Sequence, residues 1–210
     1  MKSKSLVLLS IIPLLFACNE APEEEQVEPE VEENESTHLV DFSLATTGFN
    51  NSNPTTFNTK LKNYINGDKD IVSSVTNEGY VQVSQIEIVD TTSSSGTSII
   101  HALIPCSGSQ DGSVTINFVS TCTKVKIYAQ PYYKTFWSYG EGESYVVSSI
   151  DAINILEVNE ETWDLTPNNE LGTIPDKVEK EFEINSDHLT LEAYMSQRVY
   201  IHKLEFTFAK

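Results

Sequence analysis

The segment Tyr132-Tyr133-Lys134-Thr135-Phe136-Trp137-Ser138-Tyr139-Gly140-Glu141-Gly142-Glu143-Ser144-Tyr145 holds the richest mixture of chemically useful side chains in this sequence. Flat aromatic faces stack on the C–H faces of sugar rings, and nearby carboxylates and hydroxyls take up the sugar hydroxyl hydrogen bonds. Tyr132, Tyr133, Trp137, Tyr139, Glu141, Glu143 and Tyr145 are therefore the candidate ligand-binding residues of a shallow glycan site presented on a loop. The same rings also suit a lid over one end of a core, with Gly140 and Gly142 making the turn. That packing role is the preferred reading, because large amphipathic rings are so often structural. Trp163 in Glu161-Thr162-Trp163-Asp164-Leu165 is a second ring of this kind, and it too reads as packing.

Catalysis is not expected. Glu141 with Glu143, or Glu160 with Glu161, supply two carboxylates, but a glycosidase needs its pair about 5 to 9.5 Å apart across a cleft, which sequence neighbours do not establish. His38 lies at the entrance of the folded part. His101, His188 and His202 fall in strand patterns without a neighbouring nucleophile, and His202 shares the parity of Tyr200, Leu204 and Phe206, as a satisfied core histidine would. No phosphate-cradling loop, zinc motif or nucleophile elbow is present. Asp68-Lys69-Asp70 offers alternate oxygens but lacks the other ligands of a calcium loop. No cofactor or metal site is expected; a structural calcium held by distant loops stays open as an alternative.

Chemistry of another kind attaches to Cys18. Lys2 and Lys4 precede the apolar run from Leu6 to Phe16, which ends in Leu15-Phe16-Ala17-Cys18. That order of charged, apolar and small regions is an export signal, and eleven apolar residues are too few to span a bilayer. The four-residue ending resembles that of bacterial lipoproteins, Leu-x-Ala/Gly-Cys. The resemblance implies that residues 1–17 are cleaved and that Cys18 is lipidated. The chain is then anchored by lipid to the extracytoplasmic face of the bacterial cell envelope. Each buried methylene contributes about 0.8 kcal/mol, so two or three acyl chains hold durably where one does not. An ordinary secretory signal with an accidental cysteine is the alternative.

Residues 18–36 follow as lipidated cysteine and linker. Asn19 to Ser36 carries nine glutamates, two prolines and no Lys or Arg. Like-charge repulsion and the lack of apolar bulk predict a disordered tether, reaching at most about 60 Å at roughly 3.5 Å per residue. An acidic docking signal is the functional alternative.

Residues 37–210 are about the size of one domain. Without the tether and the signal's two lysines, 22 acidic face 11 basic residues. Such a surface repels phosphate backbones, so nucleic acid is excluded as a partner, while glycans and envelope or host proteins remain.

The domain reads as strands. Ser113 to Phe118 and Lys124 to Ala129 alternate without error, and further strands are expected at His38–Leu44, Gly79–Val89, Ser98–Ile104, Ile150–Val158, Lys177–Ile184, His188–Tyr194 and Arg198–Phe208. The apolar parity changes between Val81/Val83 and Ile86/Ile88, predicting a bulge near Ser84 and Gln85. One helix is signalled: Asn53 and Pro54 suit its start, Phe57, Leu61, Tyr64 and Ile65 its stripe, and Gly67 its stop. The expected class is all-β, an antiparallel two-sheet sandwich or jelly roll with one short N-terminal helix, preceded by signal peptide and acidic tether.

Arg198-Val199-Tyr200-Ile201-His202-Lys203-Leu204-Glu205-Phe206, after Leu189-Thr190-Leu191, resembles the closing strands of galactose-binding-like β-sandwich modules. Gly112 to Phe118 before Thr123 to Tyr128 looks like the central hairpin of such modules. The resemblance implies a carbohydrate-binding-type module, although that fold hosts many functions. If Ser98–Ile104, Ser113–Phe118 and Lys124–Ala129 form a meander, Cys106 and Cys122 lie roughly 20 Å apart at 3.3 Å per residue, too far for a disulfide. A fold-back of the 107–112 loop would allow the bridge, worth about 3 kcal/mol.

Two functional classes follow. One is a non-catalytic binding module for glycan or protein; the other is a structural or protein-interaction lipoprotein without a small ligand. A glycan-active enzyme ranks third.

Overall fold

The computed structural model describes residues 35–89, 97–138, 144–167 and 174–209. Cys18 and the acidic run up to Asn34 lie outside the described residues, as do Tyr139, Glu141 and Glu143. In chain order the elements are β1 (Glu35–Asp41), a 3-10 turn (Phe42–Leu44), β2 (Phe49–Asn50), α1 (Pro54–Asn66), β3 (Val72–Gly79), β4 (Gln82–Val89) and β5 (Thr97–Ile104). Then come β6 (Gly112–Pro131), β7 (Tyr133–Ser138), β8 (Ser144–Ile150), β9 (Ile155–Val158), β10 (Glu161–Asp164), β11 (Val178–Ala193) and β12 (Val199–Ala209). The fold is all-β with one helix, as its alternating patterns require. Ten strands make one curled antiparallel sheet, and β7 with β8 make a separate hairpin.

Two long strands form its spine. Residues 112–131 run as one strand of 20 residues, not as the hairpin expected of Gly112–Phe118 and Thr123–Tyr128. The physical reason is in the intervening Val119-Ser120-Thr121-Cys122, which offers no Gly, Pro, Asn or Asp to turn the chain and includes two β-branched residues. Likewise 178–193 is continuous, merging two expected strands, with register shifts between Glu183, Ser186 and His188. β6 and β11 pair from Val178↔Ala129 to Ala193↔Gly112. The other edge of β6 changes partner along its length: β3 takes residues 112–118 and β12 takes 122–131.

β12 in turn is flanked by β6, by β5 at Ile201↔Leu103, and by β1 from Lys203 to Ala209. The predicted meander is therefore absent, since β5 pairs with β4 and β12 rather than with β6. Of the expected Ile150–Val158 strand only the final four residues are extended as β9; Ile150 ends β8 and 151–154 is a connection. No bulge occurs at Ser84 and Gln85, because β4 pairs with β5 without a shift from Gln82↔Ile104 to Val89↔Thr97. The parity change has another cause. Val83 belongs to the main core, whereas Ile86 joins a second cluster with Ala102, Ile104, Tyr133 and Tyr200 on the opposite face.

The main core is sealed on one side by α1. Asn53 caps it by accepting from the Thr56 amide at 3.0 Å, Pro54 occupies the first turn, and Gly67 ends it with a positive φ of 54°. Phe57, Leu61 and Ile65 are fully buried. Its remaining apolar ring, Tyr64, stacks on Phe42 at 5.6 Å and donates its hydroxyl to the Asp41 carbonyl at 2.5 Å. Where β3 meets β6, Gly79 pairs with Gly112. A Cβ on Gly112 would lie 2.0 Å from the Tyr80 carbonyl oxygen and 2.1 Å from that of Pro105, so only glycine fits this crossing.

Candidate functional site

The β7–β8 hairpin carries the ring-rich segment. Its register sets Trp137 opposite Tyr145 and Phe136 opposite Val146, with an irregularity between Lys134 and Thr135. Directly opposed backbone positions are the closest neighbours that a ladder offers two large residues. Tyr139, Glu141 and Glu143 lie outside the described residues.

The base of the hairpin is built from rings and one arginine. Tyr133 is buried and packs edge-on against Tyr200 at 5.9 Å, while the Tyr200 hydroxyl donates to the Tyr133 carbonyl at 3.1 Å. Burial pushes the Tyr200 phenol far above its ordinary value, so it stays a neutral donor. Tyr132 is half-buried, 5.2 Å from Tyr200. The guanidinium of Arg198 lies 3.4 Å from the Tyr132 ring centre and grips Asp151 with two bonds, Nε–Oδ2 at 2.8 Å and Nη2–Oδ1 at 2.7 Å. Both partners are largely sheltered, at 19% and 11% side-chain exposure, which makes this fork stronger than a surface pair. Tyr132 and Tyr133 thus pack the start of the hairpin onto Tyr200 of β12.

Arg198 and Asp151 carry this arrangement and were not singled out from sequence. A signal was present: Arg198 is the only arginine in a chain that otherwise uses lysine. A planar fork that also stacks on a ring is a task lysine does not perform.

A second concave region lies along the irregular stretch of β11, a cleft of about 420 Å³ whose walls include Glu157, Glu192, Asn185 and His188. Asn159 and Glu160 make the two-residue turn between β9 and β10 with φ of 46° and 69°. Asn159 docks that turn by accepting from the Thr190 amide at 2.7 Å and donating to the His188 carbonyl at 3.2 Å. Ser186, Asp187 and His188 bring together the side chains of a hydrolytic triad, yet Ser186 Oγ at 3.0 Å and Asp187 Oδ1 at 2.9 Å both meet Nδ1. A relay needs the two groups on opposite ring nitrogens, so this contact does not activate the serine. The bond to His188 holds the Asp187 carboxyl below its ordinary value.

Cys106 and Cys122 are both buried and both free. Burial pushes their thiols up to about 12 and about 11 respectively. Trp163 packs edge-on against Phe182 at 5.7 Å. Among the described residues no group of three or more His, Cys, Asp or Glu side chains is arranged to hold a metal ion.

No protein-family model matches the chain, and no curated protein sequence is significantly similar to it.

Proposed function

We propose that the chain is a lipid-anchored extracytoplasmic lipoprotein whose β body is a non-catalytic binding module, with glycan as its ligand. The observation that carries the reading is the β7–β8 hairpin, a two-stranded unit apart from the main sheet that opposes Trp137 and Tyr145. Its base is fixed by the Arg198–Asp151 fork, and a rigid mount reduces the ordering cost of binding. The signal ending at Cys18 supports the anchor.

A two-sheet sandwich or jelly roll is the finer architecture that we infer. Supporting it, both spine strands are irregular at mid-length and β6 changes partner there from β3 to β12, as strands do when they pass from one sheet layer to another. The likeness to galactose-binding-like modules now rests on β11 and β12, since its other half is not a hairpin.

A glycan array probed with the full chain tests the function. Saturable binding that is lost in Trp137→Ala is the expected result, and array silence sinks it. Labelling of the protein by radioactive palmitate, lost in Cys18→Ser, tests the anchor. A second reading, a protein-interaction lipoprotein, is favoured by β1. Among the described strands it pairs only with β12, and Leu39 beside that edge is 54% exposed.

A further inference from the structure

His202 has no part in the hairpin. β12 pairs with β6 at Ile201↔Ala129 and resumes at Lys203↔Tyr128, so His202 is the extra residue of a β-bulge. The main-core face of β12 accordingly changes from Val199 and Ile201 to Leu204, Phe206 and Phe208 across it. His202 is therefore not on the core face that its parity with Leu204 and Phe206 suggested. A bulge re-aims side chains out of strict alternation. Here it lets two sequence neighbours, His202 and Lys203, line one cleft of about 310 Å³.

The cleft is chemically uneven. Tyr128 and Val178 give it an apolar wall, and Ser43, Lys177, Glu179 and Lys203 give it polar groups, with the Glu179 carboxylate engaged by Lys126 at 2.7 Å. The imidazole is 4% exposed, with Nε2 3.3 Å from Gln130 Oε1, and the Gln130 amide nitrogen donates to the Pro175 carbonyl at 2.5 Å. That chain fixes the proton on Nε2 and leaves Nδ1 an acceptor. Nδ1 has no hydrogen-bond partner among the described residues. Burying such an atom unpaired is costly, and proteins rarely leave it so without a reason. Lys203 is committed to Asp41 at 2.7 Å. Lys177 enters no ion pair among the described residues, yet its charge is felt at His202.

We propose that this cleft binds a monosaccharide carboxylate, a hexuronate, whose carboxylate meets Lys177, whose hydroxyl donates to His202 and whose ring lies against Tyr128. The volume is at the lower end of ligand pockets, about 300 to 1,000 Å³, and suits one sugar ring. A neutral sugar satisfies the imidazole but makes no use of the Lys177 ammonium, which is exposed at the rim. A simple anion does the reverse. The hexuronate satisfies both, with Lys177 as the cation that draws an acid to this part of an acidic body.

Calorimetric titration of the full chain in detergent with glucuronate and with galacturonate tests the site, with glucose, acetate and inorganic phosphate as controls. Saturable binding of at least one hexuronate, at least tenfold tighter than any control, is expected. Lys177→Gln, an exposed change that leaves the circular dichroism unaltered, weakens it at least fivefold. Absence of saturation by both hexuronates overturns the site, as does equal affinity for phosphate or glucose. Undiminished binding in Lys177→Gln overturns it too. Loss of binding in Trp137→Ala moves the ligand to the hairpin and removes it from this cleft.

Discussion

Acid should destabilise this protein through His202 before it does so through any carboxylate. Burial above all, and then the charge of Lys177, push the imidazole down to about 4, with Asp41 opposing and Lys203 adding. The unfolded chain holds the same ring near 6.5, so between those values the unfolded state binds the extra proton and stability falls as pH falls. Integrating from pH 7 to pH 5 gives a loss of about 2 kcal/mol for this one group, with the remainder lost by about pH 3. Asp41 acts in a lower window. Burial works to raise its carboxyl, but bonds to Lys203 and Ser43 prevail and hold it below the ordinary value, so its contribution is lost only under stronger acid. The assay is urea denaturation at pH 7, 6 and 5 for the native chain and for His202→Gln. The native chain should lose about 2 kcal/mol more than the variant over that range. Parallel losses in the two proteins would show that the imidazole is not held neutral by its surroundings, and the reasoning on the bulge would go with it.

Arg198→Lys keeps the charge but gives up the fork and the stacking on Tyr132, and should cost about 1–2 kcal/mol in chemical denaturation. Glu160→Gly relieves a φ of 69° in a two-residue turn and should stabilise by up to about 1 kcal/mol, read as a melting temperature higher by about 2–4 °C. Gly112→Ala drives a methyl into two carbonyl oxygens and should leave no cooperative unfolding transition by circular dichroism. Cys106 and Cys122 should resist maleimide in the native protein and both react in denaturant, as counted by intact mass without reductant.

The helix was legible because its signals are local. Asn53, Pro54, the Phe57/Leu61/Ile65 stripe and Gly67 each act within a turn of their own position. Alternation located β5 and β12 to within a residue or so for the same reason. Which strands are neighbours was not legible, because hydrogen bonding between strands leaves no mark on either sequence alone. Val119 to Cys122 reads as a polar interruption in a strand pattern; only the partners β3, β11 and β12 make it the midpoint of one strand. The parity change at Val83 and Ile86 has two physical causes, a bulge or apolar cover on both faces. The sequence pattern is the same for either. At the candidate sites, ring types could be read, but the Arg198–Asp151 fork joins residues 47 apart and depended on the fold.

Glu35 lies across from Ala209 and Asp41 across from Lys203. The start of the folded body is thus zipped to nearly its last stretch. A ribosome must deliver residues 203–209 before β1 has its partner, and contacts of such span make for slow folding. Glu35 and Ala209 are direct ladder neighbours, so labels placed at these two positions would report on each other at close range.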